Sequence, residues 1–139
     1  MGVPDRIERG LELRHPPEKV WAALTTAEGL GGWLGTYAEV EELRPGGRAR
    51  VRWGQGKEDT LVFQVVQPPH LLAYTWAIEG LPPSDPRRTY VEFTLEPTSA
   101  GTRLTVVETG FAQLPDAYET NVQGWRTKLA ELIDYLDAA

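Results

Sequence analysis

Glu108 is the side chain whose type and predicted position most clearly suggest chemistry. A hairpin that turns at Ser99 sets Val91 opposite Glu108, in phase with an apolar strand face. A carboxylate that faces inward without a partner could act as a general acid or anchor a ligand. The alternative, which we favour, is a carboxylate at the mouth of the interior, hydrated or paired with an arginine such as Arg103 or Arg126.

Histidine, cysteine and glycine patterns predict no other catalytic or metal-binding group. His15 and His70 are the two histidines, and each lies beside prolines without carboxylates at metal-ligand spacing. The absence of cysteine excludes disulfides, thiolate catalysis and zinc–sulfur sites. Glycines at positions 29, 31 and 32 neither follow a strand nor precede a long helix, so they form no dinucleotide-binding loop. We therefore predict no catalytic residue, no cofactor and no metal.

Aromatic residues predicted to face one interior provide a second candidate site. Small-molecule pockets are mostly apolar with few polar groups, which favours a ligand cavity. A filled core is the competing interpretation, because aromatic side chains bury large areas in any domain. The predicted cavity lining consists of Trp33, Trp53, Phe63, Tyr74, Trp76, Phe93, Glu108, Tyr118, Val122, Trp125 and Leu129.

One long amphipathic helix is predicted to position the last of these residues. Its apolar stripe repeats in alternating steps of four and three, which is typical of a helix lying on an apolar surface. Gly124 interrupts this helix at a cost of about 1 kcal/mol relative to alanine. Three explanations are open: the sheet backbone approaches closely at Gly124, the helix leaves room beside Trp125, or the glycine is exposed and tolerated. The stripe consists of Tyr118, Val122, Trp125, Leu129, Leu132 and Leu136.

Short alternating segments predict the sheet that this helix would cover. A first strand spans Ile7–Leu13, and two short helices, Lys19–Leu24 and Ala27–Gly35, follow it. A hairpin joins Tyr37–Leu43 to Arg48–Gly54. If its turn is centred on Pro45 and Gly46, pairing sets Glu41 opposite Arg50 and Glu39 opposite Arg52.

Two further strands, Thr60–Gln67 and Leu71–Ile78, precede a proline-rich loop at Leu81–Arg88. In the first strand the inner face is predicted to carry Leu61, Phe63 and Val65; in the second it is predicted to carry Leu72, Tyr74, Trp76 and Ile78. Together with the hairpin that contains Glu108, these strands predict an α+β fold with helices on one side of an antiparallel sheet.

Bulk properties narrow the class of protein further. A length of 139 residues suits one domain, taken as residues 1–139. The formal net charge of −6 disfavours a nucleic-acid partner. No apolar run approaches the roughly 20 residues that span a bilayer. The N-terminus lacks a signal-peptide pattern, so we expect a cytoplasmic protein.

Several short motifs, in order along nearly the whole chain, resemble one known superfamily. The chain is similar to the SRPBCC (START-like) superfamily, in the branch of the activator of heat-shock-protein-90 ATPase homologue. The resemblance implies a helix-grip fold: a curved antiparallel sheet of about six to seven strands around a long C-terminal helix, with two short helices after the first strand. The matching motifs are Pro17–Thr25, Gly32–Gly35, Gly46–Val51, Pro69–Trp76, Gly101–Thr105, Glu108–Phe111 and Gly124–Trp125 with Leu129 and Leu132.

The resemblance implies a hydrophobic cavity but no common reaction, because fold alone does not settle function. We expect a protein that binds a hydrophobic small molecule of lipid, polyketide or aromatic type and is not an enzyme. One alternative is a chaperone-linked interaction module, which should expose an apolar patch. The other is a cyclase- or hydratase-type enzyme, with Glu108 as acid–base group and Tyr74 or Tyr118 orienting the substrate.

Overall fold

The computed structural model describes residues 5–54, 56–77, 87–111 and 115–138, and these form an antiparallel sheet with helices on one face. This architecture confirms the predicted α+β helix-grip fold. The predicted inner-face residue Ile78 and residues 81–86 of the proline-rich loop lie outside the described residues. The elements are β1 (Arg6–Leu13), α1 (Pro17–Thr25), α2 (Ala27–Gly29) continued by a π-helical segment (Leu30–Leu34), β2 (Tyr37–Val40), β3 (Arg48–Arg52), β4 (Glu58–Gln67), β5 (Leu71–Ala77), β6 (Arg88–Thr98), β7 (Gly101–Thr109) and α3 (Pro115–Ala138).

The seven strands lie in the order β1-β7-β6-β5-β4-β3-β2, and every neighbouring pair is antiparallel. The predicted register of the β6–β7 hairpin is confirmed, with Val91 opposite Glu108 and Phe93 opposite Val106. Strand β6 extends further back than predicted and begins at Arg88. It pairs there with the end of β5, where Trp76 lies opposite Thr89.

The predicted register of the first hairpin is wrong by two residues. Glu39 lies opposite Arg50, not Arg52, and Tyr37 takes the position opposite Arg52. The reason is that the connection does not close tightly around Gly46. The Gly46 amide instead donates to the Phe63 carbonyl of β4 at 2.8 Å, which draws the loop toward that strand. The alternation is unchanged, and Arg50 contacts Glu39 at 2.6 Å on the outer face.

A β-bulge in β4 overturns the prediction that Val65 shares a face with Phe63. Phe63 pairs with Tyr74, but Val65 pairs with Ala73, so one extra residue lies on the β4 side. A bulge shifts the alternation of every residue beyond it. Val66 consequently packs against the core and takes the inward place that was predicted for Val65.

Helix α3 lies on this framework along the predicted stripe. The last four residues of the stripe are buried, whereas its first two, Tyr118 and Val122, are half-buried. Proline at the first position of α3 suits a helix start, where the missing N–H is not needed. The buried stripe residues are Trp125, Leu129, Leu132 and Leu136.

The C-terminal end of α3 is fastened to the turn before α1 by a polar contact that the sequence did not predict. His15 Nε2 lies 2.7 Å from Asp137 Oδ1, and Lys19 Nζ lies 3.2 Å from His15 Nδ1. Because an ammonium can only donate, Nδ1 accepts and Nε2–H donates to Asp137. Lys19 also donates to the Leu136 carbonyl at 3.0 Å, one of the last carbonyls of the helix.

Gly124 is exposed, and a Cβ built there would meet no atom within 4 Å. The sheet therefore makes no close approach at this position, and the interpretation of an exposed, tolerated glycine is correct. Gly29 has the opposite environment. A Cβ there would lie 2.5 Å from the Ala23 carbonyl oxygen and 2.6 Å from its Cα, because α2 crosses α1 at this point.

We predict that Gly124→Ala stabilises the protein by about 0.5–1 kcal/mol, because alanine restricts the unfolded chain and fits the helix without strain. Gly29→Ala is the matched comparison and should destabilise by about 1–3 kcal/mol through overpacking against backbone. Urea unfolding followed by circular dichroism measures both. Equal stability changes at the two positions would contradict the packing described here.

Candidate functional site

Five of the predicted cavity residues form one connected aromatic cluster between the sheet and α3. The Trp76 and Trp125 rings stack, with centroids 5.7 Å apart and planes inclined by 26°. Phe93 meets the Trp125 ring edge-on at 5.8 Å. Tyr74 touches Trp76 and Phe93 at 5.8 and 5.9 Å, and Phe63 adjoins Tyr74 at 6.4 Å. Strands β4, β5 and β6 and helix α3 thus meet through aromatic contacts.

The remaining predicted residues are not all brought to this cluster. Trp33 is buried in the π-helical segment, where its Nε1–H donates to the Ala23 carbonyl at 2.7 Å and holds α1 in place. Tyr118 packs edge-on against Phe111 at 5.6 Å. Trp53 and Val122 are half-buried against the core. Leu129 is buried on α3.

Glu108 is fully buried, and five hydrogen bonds from four neutral side chains converge on its carboxylate. Trp76 Nε1–H donates to Oε2 at 2.8 Å, and Trp125 Nε1–H donates to Oε1 at 2.7 Å. Asn121 Nδ2 lies 3.1 Å from each oxygen, and the Thr89 hydroxyl also donates to Oε2. The expectation of a hydrated or arginine-paired carboxylate is therefore wrong, because the described residues provide neutral donors instead.

The donor types explain how a carboxylate can lie in an apolar interior. A buried polar group must be hydrogen-bonded to avoid a large desolvation cost. An ionised carboxylate is an acceptor only, and an indole N–H is a donor only, so the two match without any cation. The donors belong to β5, β6 and α3, while Glu108 belongs to β7. The carboxylate thus fastens the first half of α3 to three strands.

Tyr74 carries the opposite kind of polar group, a buried hydroxyl without a partner. Its side chain is 1% exposed, and the hydroxyl is the one buried side-chain polar atom of the described residues that lacks a hydrogen bond. Burial raises the pKa of Tyr74 well above its ordinary value, and the negative charges of Glu108 and Asp59 raise it further. The phenol therefore keeps its proton and remains available as a donor.

Sequence reasoning missed three polar residues of this interior. Asp59 lies on the inner face of β4, two residues before buried Leu61, and a strand predicted to start at Thr60 left it out. Thr89 lies opposite Trp76 in the pairing of β5 with β6, and it falls between the predicted loop, which ends at Arg88, and the predicted alternation, which begins at Val91. Asn121 lies four residues before Trp125, which puts both on one helix face. Two signals could have identified such residues. The two-residue alternation of a strand puts Asp59 on the face of Leu61, and the four-residue spacing of a helix puts Asn121 on the face of Trp125.

The described residues hold no cluster of three or more histidine, aspartate or glutamate side chains that could bind a metal ion. Among these same residues there is also no helix with the length and apolar character needed to cross a membrane.

Comparison with known proteins agrees with this architecture. Residues 14–137 match the family described as activator of Hsp90 ATPase homolog 1-like protein. The crystal structure of protein MLL2253 from Mesorhizobium loti is 30% identical and has a TM-score of 0.83, with 96% of this chain and 98% of that chain covered. Protein NE0264 from Nitrosomonas europaea is 27% identical, covers 96% and 94% of the two chains, and has a TM-score of 0.76.

The solution structure of the Aha1 dimer from Colwellia psychrerythraea shares the fold. It is 21% identical, covers 94% of this chain and 95% of that chain, and has a TM-score of 0.79. No curated protein matches the sequence.

We predict that Thr89→Val destabilises the protein by about 1–3 kcal/mol, because it removes one donor from a buried carboxylate while conserving shape. Thr94→Val, on the outer face of the same strand, is the matched control and should stay within about 0.5 kcal/mol of the original. Chemical denaturation of both variants provides the comparison. A Thr89→Val protein as stable as its control would show that the carboxylate does not depend on this donor.

We also predict that Tyr74→Phe flattens the alkaline loss of stability. The folded protein holds the Tyr74 proton above the pH at which the unfolded chain releases it, so this contribution to stability is complete below about pH 10 and falls as pH rises. Above pH 10, the free energy of unfolding of the variant should fall by up to about 1.4 kcal/mol less per pH unit than that of the original protein. Urea unfolding at pH 7, 9, 10 and 11 measures the difference; parallel curves for the two proteins would refute it.

Proposed function

Because the chain belongs to the activator of Hsp90 ATPase homolog 1-like family within the SRPBCC (START-like) superfamily, we propose that it binds a hydrophobic small molecule between the inner face of the sheet and α3. The superfamily fold is commonly a ligand-binding fold. A lipid, a polyketide or an aromatic compound is the class of ligand that such an interior suits.

The observation that carries this proposal is the unpartnered hydroxyl of Tyr74. A buried hydroxyl without a hydrogen bond costs about 1–3 kcal/mol, and phenylalanine would fill the same space without that cost. The surrounding residues of the cluster contribute flat apolar surfaces but no acceptor to this hydroxyl. A bound molecule with an acceptor atom would satisfy it, which gives the tyrosine a reason to be there.

The aromatic cluster is also suited to binding by its chemistry. Stacked Trp76 and Trp125 have their N–H groups fixed by Glu108, so their rings are held in defined positions. Rigid aromatic walls lose little conformational freedom when a ligand binds. Val122 and Tyr118 are half-buried near the start of α3, which puts them at the edge of the same interior.

Two features favour binding over the alternative functions. Glu108 already accepts five hydrogen bonds from the protein, so it has little capacity left to exchange a proton with a substrate, as an acid–base catalyst must. The described surface exposes two large hydrophobic side chains, Tyr37 at 49% and Leu43 at 37%, which is less than the apolar patch expected of a chaperone-binding module.

Native mass spectrometry of freshly purified protein tests the proposal. We expect a mass above that of the 139-residue chain, and we expect the excess to disappear when the same sample is denatured. The denatured spectrum is the control, since it separates a bound molecule from a covalent modification. A mass without excess in every preparation, together with no thermal shift against lipids and polyketides, would overturn the proposed function.

A further inference from the structure

We propose that the open edge of β1 is an interaction surface for an extended strand of another protein, one that sets an acidic residue opposite Arg9 and an apolar residue on either side of it. This inference goes beyond ligand binding and does not depend on it. It rests on the outward backbone groups of the edge, on the position of Arg9 and on the glycine at position 10.

β1 is the open edge of the sheet in the described part of the chain. The sheet ends at β1 on one side and at β2 on the other. β2 has four residues, and the π-helical segment packs on it, since a Cβ at Gly31 would lie 3.2 Å from the Ala38 amide nitrogen. β1 has eight residues and one neighbouring strand, β7. A free edge of this length can pair with a further strand.

The direction of the backbone groups alternates along β1. The Gly110 amide donates to the Asp5 carbonyl at 3.2 Å, so Asp5 and each second residue after it direct their backbone groups toward β7. The residues between them direct theirs away from the sheet, where no described backbone group bonds them. These outward residues are Arg6, Glu8, Gly10 and Glu12.

Arg9 is a cation on the inner face of this edge. It lies between Ile7 and Leu11 in the alternation, is half-buried, and makes no ion pair with a described residue. Its Nη1 donates instead to the Glu8 carbonyl at 2.8 Å, one of the groups that point away from the sheet. A carboxylate on a paired strand would provide the missing counter-charge, and bidentate bonding by the guanidinium would fix its position.

Strand geometry brings such a carboxylate close to Arg9. Because the backbone of Arg9 bonds to β7, the residue opposite it in an antiparallel partner forms a non-hydrogen-bonded pair. Side chains are closest in these pairs, where the Cα atoms are about 4.5 Å apart. The partner residues two positions before and after the acidic one would lie beside Ile7 and Leu11, which apolar side chains match.

Gly10 fits the close approach of a second chain. It is not among the glycines with positive φ, and a Cβ there would meet its nearest atom, Arg103 Nη2, at 3.5 Å. Neither backbone conformation nor packing among the described residues therefore requires glycine at this exposed position. Glycine weakens a strand interior and often marks a place where another backbone approaches closely.

Charge disfavours a second copy of this chain as the partner. Antiparallel pairing of two β1 strands over the whole of residues 6–12 would set Arg9 opposite Arg9 of the copy. A shift of one strand by two residues would set Glu8 opposite either Glu8 or Glu12 of the copy. Like charges directly opposite one another destabilise a sheet. An acidic residue opposite Arg9 alone avoids this repulsion.

Three acetylated and amidated heptapeptides test the surface. Each has the order Thr-Val-Thr-X-Thr-Val-Thr, where X is glutamate, glutamine or lysine, so the residue order is the same for either strand direction. Binding to the full, isotope-labelled chain at pH 6.5 is followed by the amide NMR signals of β1. We expect the outward amides to shift most, and the glutamate peptide to bind at least about tenfold more tightly than the glutamine peptide. Lysine should bind most weakly, and added salt should reduce the differences.

Arg9→Gln and Arg50→Gln form the matched pair of variants, since each removes one guanidinium. Arg50 lies on the outer face of β3, where it pairs with Glu39. Arg9→Gln should bind the glutamate and glutamine peptides equally, whereas Arg50→Gln should keep the preference. Gly10→Pro removes one outward N–H without touching the bonds to β7, so it should weaken the glutamate peptide at least about tenfold. Circular dichroism checks that each variant is folded.

Contrary results have distinct meanings. Equal binding of the three peptides, a preference that survives Arg9→Gln, or no binding at millimolar peptide would each overturn the proposal. Shifts confined to β2 or α3 would also overturn it, because another surface would then bind the peptide. A dimer of the chain alone that Gly10→Pro converts to a monomer would replace the acidic partner with a second copy. None of these results affects the proposed ligand binding, which the native mass spectrum tests separately.

Discussion

The buried carboxylate of Glu108 is the constraint on which the interior of this protein depends. A carboxylate cannot lie at 0% exposure between a sheet and a helix unless donors surround it, because its desolvation is too costly otherwise. Here those donors arrive from β5, β6 and α3. The position of the helix over the sheet is therefore specified by directional bonds as well as by apolar burial, and hydrophobic contacts alone would permit it to slide.

The same constraint explains the arrangement of the aromatic rings. Trp76 on the sheet and Trp125 on the helix both point an N–H at one carboxylate, so their ring planes are brought together and stack at 5.7 Å. The stacked pair then sets where Phe93 and Tyr74 can pack. Removing the carboxylate would leave the Trp125 N–H unpaired in an apolar region and the Trp76 N–H with the Thr89 hydroxyl at 3.0 Å, so the polar and aromatic parts of the interior depend on one another.

Local periodicity was sufficient to predict the α+β architecture and the pairing of Glu108 with Val91, because the turn at Ser99 and Ala100 fixes a register that each later residue follows. It was insufficient where the backbone departs from regular alternation. The bulge near Phe63 exchanges the roles of Val65 and Val66, and the glycines after Pro45 pair with β4, which shifts the first hairpin by two residues. Donors such as Thr89 depend on contacts between distant segments, and periodicity within one segment does not report them.

Glu108 and Tyr74 are both buried, but the described residues donate hydrogen bonds to the first and leave the hydroxyl of the second without one. This contrast argues that the interior serves more than stability. The described residues provide five hydrogen bonds to the carboxylate, yet among these same residues the phenol hydroxyl of Tyr74 has no partner. A core shaped by stability alone would favour phenylalanine at position 74, since the hydroxyl adds only a desolvation cost. Local rules of folding are most often broken at functional sites, where the cost is offset by binding. The unpaired hydroxyl is therefore the feature of this interior that packing and stability do not explain, and the proposed ligand binding rests on it.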